Sequence, residues 1–207
     1  LADSDLAERT AAEILGREET AVRAVLSALR AGLNAPWTSS CGRLFDAVAA
    51  IAGLRAEVSY EGQAAMELEM VMYRDIPPDR APEVDVRPYD CPITREGDLW
   101  ELDWRPVIWG VLEDRRNGKP LSEISLRFHR SLTLALTVLV ERVRDETQLR
   151  TVALSGGCFQ NLYLTQALQR ELASRGFRVL VHRLVPPNDG GISLGQAVVA
   201  GRTAEID

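Results

Sequence analysis

The stretch LSGGCFQN, residues 154–161, brings together a serine, two adjacent glycines, a cysteine and an asparagine directly after an apolar run. Ser155, Gly156 and Gly157 would let the backbone come close to a ligand, because glycine lacks a Cβ and tolerates positive φ. A helix starting just beyond would point its first N–H groups into the same space, a setting that suits phosphate oxygens. Asn161 adds an amide able to donate and accept. An ordinary strand-to-helix turn of small residues accounts for the same letters. For Cys158 to be a nucleophile, a base must stand within reach. The two histidines are His129, in a helical stretch, and His182, in an extended one, and nothing in the spacing puts either beside Cys158. Cys158 therefore reads as a small packing residue.

Two further groups carry candidate chemistry. In VPPNDGG, Asp189 precedes two glycines at a strand-to-helix junction. It either caps the helix or ligates a divalent cation beside a phosphate. In TSSCGRLFDAVAA and YEGQAAMELE, Asp46 lies one residue off an apolar stripe, and Glu67 lies one turn beyond Gly62 and Gln63. Carboxylates near a glycine turn can accept hydrogen bonds from ribose hydroxyls. Two solvated helix faces are the plainer reading.

Periodicity names the elements that must hold these groups. The N-terminal third is helical: Val22, Val25, Leu26 and Leu29 repeat at helical spacing, as do Leu44, Val48 and Ile51 after a Thr38–Ser40 cap. A third helix follows the Gly62 turn. Residues 75–98 are rich in Pro and Asp and read as a loop with short strands. LWELDWRPVIWGVL gives a strand and a helix start. A long helix follows, with Phe128, Leu132, Leu136, Leu139 and Val143 as its stripe. The last third alternates: strand TVALS, a helix with Leu164, Leu168 and Leu172 on one face, strand FRVLVHRL, then a final helix. In such α/β units ligands sit at the carboxyl ends of the strands. That sets residues 155–157 beside residues 188–191. The expected organisation is a helical segment over 1–74, a Pro/Asp-rich insertion or crossover over 75–120, and an α/β lobe over 121–207.

Composition bounds the function. The 207 residues are 46% hydrophobic with a net charge of −6, enough for one or two domains with a real core. No basic block supports nucleic-acid binding. No apolar run reaches the ~18 residues of a membrane helix. LADSDLAERT shows neither a signal peptide nor an initiator Met, so a longer parent chain is expected. Cys41, Cys91 and Cys158 are far apart in sequence and form no C-x-x-C, which favours neither a zinc knuckle nor a disulfide framework. A reducing cytoplasm is the expected location.

The blocks at 36–69, PWTSSCGRLFDAVAAIAGLRAEVSYEGQAAMELE, and 152–200, VALSGGCFQNLYLTQALQRELASRGFRVLVHRLVPPNDGGISLGQAVVA, together with RFHRSL, resemble the last module of the HypF carbamoyltransferases of nickel–iron hydrogenase maturation. More distantly they are similar to the tRNA threonylcarbamoyl-transferase ATPases, and both groups share the actin/hexokinase/Hsp70-type ATPase fold. The resemblance implies an incomplete two-lobe α/β module with a substantial helical part. Ser155, Gly156 and Gly157 match the loop beside the nucleotide phosphates, and Asn161 matches a nucleoside contact. Asp46 and Glu67 match ribose-side acids, with Gly62 and Gln63 in the adjoining turn. Asp189 matches a metal-ligating aspartate, the metal being Fe, Zn or Mg. Gln63 stands where the tRNA enzymes have glycine. The family's His-x-x-x-His ligand pair has no counterpart here. The implied reaction uses carbamoyl phosphate and ATP to form carbamoyl-adenylate, and transfers carbamoyl to the C-terminal cysteine of the partner HypE, releasing AMP. No residue of this chain is assigned as catalytic. The chain alone is expected to be inactive and to self-associate through uncovered apolar surface. A threonylcarbamoyl-transferase-type subunit and a non-catalytic docking lobe are the alternatives.

Overall fold

A computed structural model describes residues 2–81 and 84–204. In chain order the elements are α1 (Ala2–Leu15), α2 (Glu19–Arg30), α3 (Cys41–Ile51), α4 (Gln63–Met72), β1 (Ile93–Glu96), β2 (Leu99–Leu102), α5 (Arg105–Arg116), α6 (Leu121–Thr147), β3 (Thr151–Leu154), α7 (Leu162–Ser174), β4 (Arg178–Val181) and α8 (Ile192–Ala204). Short 3-10 turns at Gly157–Gln160 and Asp189–Gly191 precede α7 and α8.

Local chemistry sets the boundaries. Ser40 caps α3 by accepting the Arg43 N–H, as the serine run before it anticipates. Gly62 enters α4 at φ +79°, a conformation that suits glycine. β1 and β2 form an antiparallel hairpin, with Gly97 at positive φ in its tight loop. β3 and β4 pair in parallel with Leu154 opposite Val181, and α7 is the crossover between them. Both loops that leave the carboxyl ends of this pair therefore emerge at one edge.

α6 is the axis of the molecule, with α4, α5 and α7 packed around it. One core draws Phe45 and Leu68 from the first sequence stretch, Val107 and Val111 from the second, and Leu132, Leu164 and Leu168 from the third. Leu132, Leu164, Leu168 and Leu172 are each at most 1% exposed, and burying such a side chain contributes roughly 1.5–3 kcal/mol. The expected stripe of α6 is buried at Phe128 and Leu132, half-buried at Leu136 and Leu139, and emerges at Val143. The fully buried positions of α6 end at Thr137; beyond it the helix meets its neighbours mainly through polar groups, Trp100 Nε1 donating to Glu146 and Arg175 pairing with Glu141.

α2 departs from its pattern. Of the expected face only Val22 is buried, while Val25 and Leu29 are exposed. The reason is that α2 packs chiefly on α1 and not on the α6 core. Among the described residues no helix is long and apolar enough to cross a membrane.

Candidate functional site

The two loops expected to share an edge do touch. The Gly156 N–H donates to the Pro187 carbonyl at 2.7 Å. Gly156 has φ 111° and ψ 160°, a region open in practice to glycine alone. Gly190 and Gly191 are needed for another reason: a Cβ on either would lie 2.9 Å from Pro186 atoms. Ser155 Oγ stands 2.9 Å from His182 Nε2. The parallel register, with Leu154 opposite Val181, sets the residues after them, Ser155 and His182, abreast. That register was the signal that could have found the pair.

The space beyond the loop differs from expectation. The start of α7 does not offer its N–H groups to an anion. Asn161 Oδ1 accepts the Leu164 N–H at 2.8 Å, and Glu69 Oε1 accepts the Tyr163 N–H at 3.0 Å. Glu69, which neither spacing nor a motif singles out, comes from α4 to seal this helix end. Burial raises its carboxyl above the usual range, and the backbone N–H groups of Tyr163 and Leu162 work against that.

Asn161 is buried, and its amide faces inward. Its Nδ2 lies 2.9 Å from Nε2 of His129, while His129 Nδ1 lies 2.8 Å from the Ser125 carbonyl. The consistent assignment is a neutral imidazole that donates from Nδ1 to Ser125 and accepts at Nε2 from Asn161. Phe45, Phe128 and Tyr163 meet the ring edge-on. Burial lowers the His129 pKa to about 4, against a smaller contribution from Ser125. This histidine belongs to the core and orients Asn161.

The acidic pair is held by arginines. Asp46 is 2.8 Å from Nη2 of Arg43, one turn earlier on α3. Glu67 bonds Arg55 and accepts from Gln63 Nε2 at 3.0 Å. The Arg55 hydrogen bond holds the Glu67 carboxyl below the usual range, and Gln63 adds to this while partial desolvation opposes it. Gln63 Oε1 in turn accepts the Ser59 N–H at 2.7 Å and so fastens the turn before Gly62. A cleft of about 540 Å³ opens beside Glu67, lined by Arg55, Arg74, Met70 and Leu121. Both carboxylates stay partly accessible, so a hydroxyl donor would have to share them with the guanidinium groups.

Asp189 is exposed at the start of its 3-10 turn. The capping role that its position allowed belongs to its neighbour, since Asn188 Oδ1 accepts the Gly190 N–H at 3.1 Å. Among the described residues no three of His, Cys, Asp and Glu gather as a metal site. A divalent cation takes several oxygen or nitrogen ligands, so Asp189 could supply one of them but does not make a metal site by itself.

Far apart in sequence, Cys41 and Cys158 are near enough in the fold to interact: Cys41 holds the Cys158 thiol down to about 7 against burial, while Cys158 and burial push the Cys41 thiol up. All three cysteines are free and half-buried.

Residues 2–196 match the family described as carbamoyltransferase, Kae1-like domain, second subdomain. The chain is 41% identical over 177 residues to the carbamoyltransferase HypF of Rhizobium leguminosarum bv. viciae, covering 84% of this chain and 21% of that protein. It is 39% identical over 163 residues to the carbamoyltransferase HypF of Synechocystis sp., covering 79% of this chain and 19% of the relative. A crystal structure of full-length HypF in its phosphate- and nucleotide-bound form superposes with a TM-score of 0.83 at 36% identity, over 96% of this chain and 26% of that one. The chain thus spans about a fifth of the length of these curated relatives. With its glycine loop, its paired PPNDGG loop and its α6 axis inside the matched residues, the chain belongs to the HypF carbamoyltransferase family, as a Kae1-like second subdomain.

Proposed function

We propose that this chain is the nucleotide-side lobe of a carbamoyltransferase that moves a carbamoyl group from carbamoyl-adenylate to the C-terminal cysteine of HypE. In this reading carbamoyl phosphate and ATP supply the adenylate, and the product serves the cyanide ligands of nickel–iron hydrogenase. The observation that carries the proposal is the match over nearly the whole chain to HypF in a phosphate- and nucleotide-bound form. The lobe would belong to the actin/hexokinase-type ATPases and work in the cytoplasm.

The residue roles are those that the family resemblance implies. The thiolate of HypE attacks the carbamoyl carbon, and AMP departs. Because the attacking thiol comes from the partner, this chain needs no nucleophile. Its task is to hold the adenylate still, since fixing reactants removes much of a barrier. Ser155, Gly156 and Gly157 would border the phosphates, with His182 orienting the Ser155 hydroxyl. Asp46 and Glu67 would accept ribose hydroxyls, with Gly62 and Gln63 shaping the turn. Asn161 would meet the nucleoside only through whatever its His129 and Leu164 bonds leave over. Asp189 is proposed as a single carboxylate toward a divalent metal whose identity is open, and no step is routed through that metal.

Equilibrium binding of labelled ATP and AMP tests the reading. The expected result is weak, saturable binding that Asp46→Asn and Glu67→Gln each reduce. Absence of binding, or binding indifferent to both variants, would overturn the residue roles. With ATP, carbamoyl phosphate and HypE added, these 207 residues are expected to yield no carbamoylated thiol by mass spectrometry. The uncovered faces of α2 and α8 are expected to drive self-association, readable by light scattering.

A further inference from the structure

Ser131, Ala135, Val138 and Arg142 share one face of α6, because residues three and four apart lie one above the other. The segment 88–93 lies against this face and leaves an open cleft of about 280 Å³ between the two. That is near the small end of ligand pockets. Its walls are already fixed. The Tyr89 N–H donates to Ser131 Oγ at 2.7 Å, and the Tyr89 hydroxyl donates to Asp114 at 2.7 Å. The floor is apolar, with Pro88, Ile93, Leu134 and Val138, and Val138 is 40% exposed.

Two opposite charges border this floor, Arg142 and Asp90. Arg142 is held in place without being neutralised. Its guanidinium stacks 4.9 Å from the centroid of the Trp100 ring, and its Nη1 donates to the Ile93 carbonyl at 3.4 Å. Arg95 stacks on the same ring and takes Glu146 as its ion pair. Among the described residues no carboxylate pairs with Arg142 and no cation pairs with Asp90.

We propose that this cleft binds a free aliphatic amino acid such as leucine, with its carboxylate on Arg142, its ammonium toward Asp90 and its side chain on the apolar floor. A plain anion would leave Asp90 unanswered, and a plain amine would leave Arg142 so. A peptide end carries only one of the two charges beside its side chain, whereas a free amino acid carries both. The planar guanidinium fork matches a carboxylate and makes charge-assisted bonds to it. Fixed walls keep the cost of ordering low. Cys91 also lines the cleft, and burial, helped by the Asp103 charge, pushes its thiol up to about 12, so it is a neutral wall. None of these residues is among those proposed for the nucleotide, so the inference stands or falls apart from that reading.

Calorimetric titration of the full chain with L-leucine gives the test. The expected result is saturable binding at about millimolar Kd, in keeping with so small a ligand. Isocaproate, which lacks the ammonium, should bind about threefold more weakly, since an exposed carboxylate is screened. Isoamylamine, which lacks the carboxylate, should bind at least about tenfold more weakly. Glycine, which lacks the side chain, should do the same. Arg142→Gln should cost leucine about tenfold, and Asp90→Asn should erase its advantage over isocaproate. In amide NMR spectra, leucine should move the resonances of residues 88–93 and 131–142 and leave those of 155–161 in place. No saturable binding, isocaproate binding as tightly as leucine, or leucine binding unchanged in both variants would overturn the proposal. Resonance shifts centred on residues 155–161 would overturn it as well. If Arg142→Gln fails to fold, the exposed Asp90→Asn change and the ligand series on the unaltered chain still decide the question.

Discussion

α7 and α8 begin alike and end in opposite surroundings. Each follows a β-strand and a short 3-10 turn, and before each an asparagine accepts a backbone N–H. α7 buries Leu164, Leu168 and Leu172 against α6 and the sheet. On α8, Ile192, Leu194, Val198 and Val199 are 52%, 52%, 58% and 67% exposed. The same local rules therefore make both helices, but only one has a partner among the described residues. A helix of about a dozen residues is marginal alone in water, so α7 owes its stability to packing. α8 lacks that support here.

Leucine truncation should separate the two helices most sharply. Leu168→Ala removes a fully buried side chain and should cost about 2–5 kcal/mol, read as a fall in urea midpoint. Val198→Ser on α8 should change stability by no more than about 0.5 kcal/mol, because the side chain already meets water. A large loss from Val198→Ser would mean that α8 is covered in solution, and light scattering would then show whether a second copy covers it.

The second contrast concerns pH. The imidazole behind α7 is buried neutral, whereas α8 has no such group among its described residues. Its folded pKa of about 4 lies below the ordinary 6.5, so the unfolded chain binds the proton more readily. The stabilisation is complete above pH 6.5 and is lost as pH falls toward 4, by roughly 3 kcal/mol over that window. Thermal melts in steps across the window should show the decline. His129→Gln, which can still accept from Asn161, should flatten the part of the slope due to this group. An unchanged slope in that variant would remove His129 from the account.

This contrast also marks what the sequence could reveal. Periodicity and turn residues located α3, α4, α6, α7 and both strands of the parallel pair, because 3.6- and two-residue repeats report local geometry. They placed the SGG and PPNDGG loops at one edge for the same reason. Periodicity could not tell that Val25 and Leu29 face water, since an apolar stripe does not name its partner. Nor could it show Glu69 sealing α7, His129 bonding Asn161 or Cys41 near Cys158. Each of these depends on how α3, α4 and α6 cross, and a single chain's spacing does not encode crossing angles. The roles of Asp46, Glu67 and Asp189 were legible only by resemblance. Their surroundings in the fold, Arg43, Arg55 and open solvent, are those of ordinary surface carboxylates.

The last comparison is between the two asparagine caps, of which only Asn188 should have a small effect, and their difference isolates the part of the contrast that lies in the first turn. Asn161→Ala removes the acceptor for Leu164 N–H and also strands the buried Nε2 of His129. Losing an N-cap costs about 0.5–2 kcal/mol, and an unsatisfied buried acceptor adds about 1–3 kcal/mol. Asn188→Ala removes only a bond to Gly190 N–H at an exposed turn. Water replaces that bond, so the change should sit near the low end of the capping range, about 0.5 kcal/mol. Paired urea titrations of the two variants read the difference directly. Repeating Asn161→Ala in the His129→Gln background sharpens it further. If His129 and Asn161 act as a unit, the double variant should lose less than the sum of the single losses. Strict additivity would mean that Asn161 serves α7 as a cap alone, just as Asn188 serves its own short turn.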